Sequence, residues 1–431
     1  MSRILAYVAV AVLALPAVAG DVLTVGPSGS DFLAIQPAVD AAADSDVILV
    51  KAGTYAGFAI DAKSVRVVAD TGATVEVSSP VAVRSVAAGG SVVLAGMRIR
   101  AAGTRDRFSL LVSDAAGSVR VIACRIGSAA VQGEVPRPGA RVVASADVAF
   151  TACVLQGMDS PPHWARPGDG FAGGSGIDVE ESRVSLHDCT CAGGLGGLAY
   201  PGWTGGAGGD ACAVFGATSF LHASGSSFQG GAGADGNEQH DCIDFAAGDG
   251  GEGGDGIQAG GHGLPPPSIL LLAPTYAGGA GGHGGHGACG PDGLDGAAGS
   301  ALDLAPGTQL AQISGAARRM SMPDPVRESA PVQVTFTGAP NDSVRLTMWD
   351  QPGFLYVPGY GGVLLVHAPL LRRIPVGTIP ASGVLQTTMA FPALPAGVDA
   401  RTYFLQPTFT DPTSAVRLGS SFAVVVLDSS F

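Results

Sequence analysis

Charge is scarce in this chain. Asp, Glu, Lys and Arg make up 14% of its 431 residues, and 23 Lys+Arg against 36 Asp+Glu leave a formal net charge of -13. So few basic residues cannot neutralise a phosphate backbone, which excludes nucleic-acid binding and disfavours anionic membrane surfaces. Aromatic residues are also few, at 6%. No stretch sustains the 3.6-residue apolar period of an amphipathic helix, so helical repeats are excluded. None of the seven cysteines (Cys124, Cys153, Cys189, Cys191, Cys212, Cys242 and Cys289) stands in a C-x-x-C pair, the usual mark of a structural zinc site. What the chain does have is 66 Gly, 29 Pro and 46% hydrophobic residues. That apolar content offsets the entropy of ordering, so the chain reads as folded, at a length suited to two or three domains.

Residues 1–19 read as an export signal. Arg3 precedes an apolar run from Ile4 to Val18, which ends in the small-residue pattern Ala17-Val18-Ala19. Pro16 breaks this run, which is shorter than the roughly 20 residues a membrane anchor needs. The expectation is a secreted, extracellular or cell-surface protein of a bacterium, with no membrane span after cleavage. Exported proteins meet oxidants, so the cysteines are candidates for disulfides, with at least one left over.

A repeat of variable length fills the middle of the chain. Short apolar segments begin at Val65, Val92, Val119, Val148, Val184, Phe220, Ile269 and Leu310, giving steps of 27, 27, 29, 36, 36, 49 and 41. Five residues after each start, Met97, Cys124, Cys153, Cys189 and Gly225 fall in one column. Each unit reads as two or three short strands joined by turn residues such as Glu180-Glu181-Ser182 and Ala305-Pro306-Gly307. Strands that coil and stack on one another make a parallel β-helix, with equivalent positions about 4.8 Å apart. Its inward column would then hold Cys124, Cys153 and Cys189 as a ladder of buried thiols, with disulfides between coils as the alternative.

The longer steps are filled by glycine-rich stretches at about 193–209, 230–256 and 278–299, each following the strand after the cysteine column. Loops on one side of a solenoid are expected to form a binding face. Equally, glycine-rich spirals can stack as a polyglycine-like sheet that contacts no ligand. Asp241, Asp244, Asp249, Glu252 and Asp255 alternate with glycine here and are candidate Ca²⁺ ligands, or solvated loop acids. His283-x-x-His286, beside Cys289 and His262, is a candidate transition-metal set. Trp164, Tyr200, Trp203 and Tyr276 stand in or beside the loops and suit stacking on sugar rings, or pinning a loop to the solenoid wall.

The stretch Val25-Gly-Pro-Ser-Gly-Ser-Asp-Phe-Leu-Ala-Ile-Gln36-Pro-Ala-Val-Asp40, followed by Asp46-Val-Ile-Leu-Val-Lys51-Ala-Gly53-Thr-Tyr55, resembles the start of pectin-lyase-like right-handed β-helix proteins, pectinesterases most of all. The resemblance covers about 45 residues. It implies a capping helix over Ile35 to Ala43, within an N-terminal cap at 20–45, and a first coil beginning at Val47 to Val50. It does not extend to catalysis. Of the pectinesterase motifs only Asp244-Phe245 answers, and of the polygalacturonase elements only Gly261-His262-Gly263, without the paired carboxylates of a glycosidase.

From about Pro331 the cysteines vanish and alternating stretches appear, among them Val332-Gln-Val-Thr-Phe, Val344-Arg-Leu-Thr-Met and Phe422-Ala-Val-Val-Val. Six or seven short strands at this spacing predict a β-sandwich at 331–431. The turn Leu394-Pro-Ala-Gly397 before Tyr403-x-Leu405-Gln406 resembles the tyrosine corner of immunoglobulin-like and fibronectin-like modules. The expected chain is all-β: a right-handed parallel β-helix at 20–315, a linker at 316–330, then the sandwich. Its expected role is non-catalytic, a monomer presenting a face to extracellular or cell-wall polysaccharide. The alternatives are a divergent lyase or hydrolase of an acidic polysaccharide, or a structural spacer. No cofactor is implied beyond the candidate Ca²⁺.

Overall fold

The computed structural model describes residues 20–101, 108–128, 135–161, 168–238, 247–261, 263–288 and 290–431. The export signal lies outside the described residues, as do Trp164, Asp241, Cys242, Asp244, His262 and Cys289.

Three parallel sheets run the length of a β-helix. The first has ten strands, from Val22–Val25 to Gln309–Ile313; the second has eight, from Gly53–Tyr55 to Thr275–Ala277; the third has eight, from Ala59–Asp61 to Leu302–Leu304. One coil passes through Ser118–Ile122, Arg125–Ser128 and Ala140–Val143 before Asp147–Thr151 opens the next. The apolar starts stack in register: Val92 pairs with Val119, Val119 with Val148, Val148 with Val184. Fully buried Val, Ile, Leu, Met and Phe from all three sheets form one continuous core. Each such side chain contributes about 1.5–3 kcal/mol relative to exposure.

Two details differ from the sequence reading. Leu221, not Phe220, pairs with Val184, and the residue in the cysteine column is Ser226, whose hydroxyl accepts the Cys189 N–H at 3.1 Å. Gly225 instead occupies the left-handed corner at φ 61°, in line with Ala123, Ala152 and Asp188 at φ 51–55°. Cys124, Cys153, Cys189, Cys191 and Cys212 are buried free thiols. The helix Ile35–Ala41 buries Ile35, Ala38 and Val39 over the open end of the core.

The C-terminal part has a three-stranded sheet and a larger, mainly antiparallel sheet with a shared core that includes Phe336, Leu346, Phe409 and Val424. The stretch expected as a linker carries two strands of these sheets: Arg319–Ser321 pairs with Pro331–Thr337, and Val326–Arg327 with Phe422–Leu427. Two of the expected short strands are long, Ser343–Val357 and Gly362–Thr378, and form a bulged hairpin.

This unit packs along the outer face of the first sheet. Val47, Leu49, Val68, Val93, Ala95 and Ile122 belong to its core, which explains why those strands are apolar on both faces. Arg120 and Asp147 form a buried ion pair at 2.7 Å, and the same guanidinium donates to the Gly353 and Leu365 carbonyls of the hairpin.

Candidate functional site

The glycine-rich stretches leave the solenoid together, between the second and third sheets, and they are not open loops. Each has two legs that repeat every three residues, the period of a polyproline II helix, with glycine at two of every three positions in legs such as 193–198 and 248–254 but at only one of three over 290–299. Such a helix has no internal hydrogen bonds, so its amides must pair with neighbouring legs. One row of N–H to C=O bonds runs from Gly299 through Gly279, Gly254, Gly231, Gly209 and Gly194 to Gly174, at 2.8–2.9 Å throughout. A second row, three residues along, links Gly296, Gly282, Gly251, Ala234, Gly206 and Gly197. A third joins Gly293, Gly285 and Gly248.

Glycine is needed here for space. A Cβ on Gly193 would collide with the Gly209 carbonyl, one on Gly231 with that of Gly194, and one on Gly254 with that of Gly209. The third position of each turn faces outward and carries the side chains, including Leu195, Leu198, Asp249, Glu252 and His283, all exposed. The polyglycine-like stacking anticipated from the sequence is therefore present, and it builds a lattice whose edge is set by outward residues.

At several outward positions the N–H, which no neighbouring carbonyl meets, is capped by an aspartate of the preceding layer. Asp210 accepts from the Asp255 N–H at 2.7 Å, Asp255 from Ser300 at 2.6 Å, Asp249 from Leu294 at 2.7 Å and Asp235 from His283 at 2.7 Å. This is the work that Asp249 and Asp255 do in the structure. Successive outward positions lie about 9 Å apart along a leg, too far for Asp249, Glu252 and Asp255 to share one Ca²⁺ at 2.3–2.6 Å. Among the described residues no group of three His, Cys, Asp or Glu is placed to hold a metal ion. His283 and His286 turn to Asp295 and Asp292, with Nδ1–Oδ1 distances of 3.6 and 2.7 Å.

Of the four aromatic candidates, the structure brings Tyr200 and Trp203 together. They bracket the turn at the tip of the hairpin spanning 193–211, where the Trp203 N–H donates to the Tyr200 carbonyl at 3.0 Å. They are 37% and 42% exposed, and Leu195 on the leg leading to the tip is 51% exposed. The Asn237 amide of the next hairpin donates to the Ala199 carbonyl at 2.8 Å and ties the tip down. Tyr276 is elsewhere. It lies on the second sheet, packs against the solenoid core and meets Gln312 at 3.3 Å through its hydroxyl.

The sequence reading named Asp255 as a candidate Ca²⁺ ligand but missed the carboxylates that surround it at the root of the lattice, Asp178, Asp210 and Asp303. Asp178 and Asp303 lie on strands of the third sheet, and Asp210 and Asp255 at the returning ends of two hairpins. Burial pushes the Asp210 carboxyl up to about 6, and the charges of Asp255, Asp178 and Asp303 push the same way. Asp178 is raised as well, chiefly by burial. A buried carboxyl raised in this way beside other carboxyl groups is the usual starting point for general acid catalysis. Residues so far apart in sequence gave no local motif; the register of the third sheet and the hydrogen bond from the Asp255 N–H to Asp210 gather them.

No protein-family model matches this chain, and no curated protein matches it. Among solved structures it is similar to the enzymatically active domain of tailspike protein 2 of bacteriophage CBA120, at 8% identity over 92% of this chain and 74% of that one, with a TM-score of 0.20. It is also similar to the receptor-binding protein of bacteriophage Det7, a tailspike, at 10% identity over 94% and 98% of the two chains, with a TM-score of 0.15. A superoxide reductase (neelaredoxin) from Ignicoccus hospitalis is similar over 26% of this chain and 80% of its own, at 13% identity and a TM-score of 0.17. Among the described residues no helix is long and apolar enough to cross a membrane.

Proposed function

We propose that this chain is an exported, non-catalytic protein that binds a glycan or cell surface, and that its glycine lattice holds the recognition edge away from a pectin-lyase-like solenoid. The carrying observation is the pair Tyr200 and Trp203, exposed on a turn whose backbone is tied to the neighbouring layer. Aromatic rings held on a rigid frame give large contact area at little entropic cost, and their faces suit sugar rings. The signal-like segment at 1–19 supports export. The test is a glycan array, together with whole-cell binding, using the full chain and the Tyr200→Ala/Trp203→Ala variant. Binding lost in the variant at an unchanged unfolding midpoint supports the reading; binding equal to wild type counts against it.

A second reading has its own observation. The raised carboxyl of Asp210 among Asp178, Asp255 and Asp303 favours a lyase or hydrolase acting on polysaccharide. New reducing ends or unsaturated products from polyuronides, abolished by Asp210→Asn, would establish it. A flat response with and without Ca²⁺ would retire it.

A further inference from the structure

We propose that the outer face of the second sheet is a separate binding groove for an acidic polysaccharide, gripped by Arg98, Arg100 and Arg125. The groove has a volume of about 400 Å³, and Glu76, Gly127 and Gln156 also line it. Arg98 and Arg125 are register partners on adjacent parallel strands, and both are exposed. Like charges directly opposite one another destabilise a sheet. Glu76, the register partner of Arg98 on its other side, offsets one of the three cations, with a separation of 3.5 Å. Among the described residues Arg100 and Arg125 have no ion-pair partner. A chain of net charge -13 has thus concentrated three of its 23 basic residues where they repel each other, a cost that an anionic ligand would remove.

The shape points to an extended ligand. Gly127 is the register partner of both Arg100 and Gln156, so the groove floor there has no side chain. Past Arg125, the same outward column continues through Val154, Thr190, Ser227 and Thr275, giving hydroxyls along the solenoid axis. Guanidinium groups bind planar carboxylates and sulfates through paired N–H donors. The groove lies on a different sheet from the Asp178 and Asp303 carboxylates and does not rest on the recognition role given to Tyr200 and Trp203.

The test uses the full chain and four probes: a uronate polymer, a sulfated dextran, neutral dextran and inorganic sulfate. Wild type is expected to bind the two acidic polymers more tightly than inorganic sulfate, to ignore neutral dextran, and to weaken as salt rises. Losing the charge-assisted hydrogen bonds in Arg98→Gln/Arg125→Gln is expected to weaken polymer binding by about tenfold or more. Arg84→Gln, whose arginine pairs with Asp61 on the third sheet, is expected to bind as wild type does. The unfolding midpoint separates a lost site from a lost fold, and removing the opposed charges is expected to hold or raise it. Equal binding by the double variant, or polymer binding no tighter than inorganic sulfate, overturns the proposal, as does tighter binding of single-stranded DNA than of either acidic polymer.

Discussion

At the scale of residues, the lattice makes opposite demands at neighbouring positions. Gly254→Ala places a Cβ against the Gly209 carbonyl and is expected to cost about 1–3 kcal/mol, as overpacking does in a core. Ala207→Ser, at an outward position, is expected to change stability by less than about 0.5 kcal/mol. Chemical denaturation followed by tryptophan fluorescence compares the two. Buried ionisable groups set a pH dependence with two limbs. Asp324 is pushed up to about 7 by burial, and its Oδ2 has no partner. Its folded value exceeds its unfolded one, so its contribution is full below about pH 4 and is lost as pH rises to about 7. His222 is depressed to about 4 by burial, so its contribution is full above about pH 6.5 and is lost as pH falls towards 4. Because these limbs oppose each other, variants separate them better than wild type alone. Asp324→Asn is expected to gain stability relative to wild type between about pH 4 and 7, and His222→Asn to gain between about pH 6.5 and 4, in thermal melts across that range.

Among the elements, the least legible was the contact between the solenoid and the C-terminal sheets. Arg120 and Asp147 are buried there, and Ser118 also donates to the Asp147 carboxylate. Arg120→Met leaves that carboxylate buried without its cation and is expected to cost about 3–5 kcal/mol. Adding Asp147→Leu is expected to recover most of the loss, since a buried pair can often be replaced by apolar residues at little cost. Denaturation midpoints of the single and double variants decide the matter. The coils themselves were legible, because Val119, Val148 and Val184 repeat a strand pattern that only stacking can bury. Register was misread by one residue at Phe220, where an apolar side chain stands just outside the column and a glycine corner follows. The docking face left a trace in Val47-Ile-Leu-Val50, a run apolar on both faces that a one-sided solenoid wall does not need. The stretch at 316–330 looked like a linker because its strands, Arg319–Ser321 and Val326–Arg327, are only three and two residues long. The aspartates that cap lattice amides looked like ion ligands, since Asp beside Gly serves both purposes in sequence.

The molecule as a whole is one solenoid with two coverings: the sheets that close the first face, and the glycine lattice that grows from the corner between the second and third sheets. Cutting the chain after Ile313 would expose Val47, Leu49, Val68, Val93 and Ile122 together, so the solenoid alone is expected to aggregate or bind a hydrophobic dye. The lattice carries the functional argument, because a recognition edge is useful only if its frame is rigid. Backbone amide hydrogen exchange at Gly194, Gly209, Gly231, Gly254 and Gly279 tests that claim most directly. Buried, paired amides are expected to exchange as slowly as those of Val119 and Val148 in the solenoid strands. Exchange at the rate of an unstructured glycine peptide would contradict it.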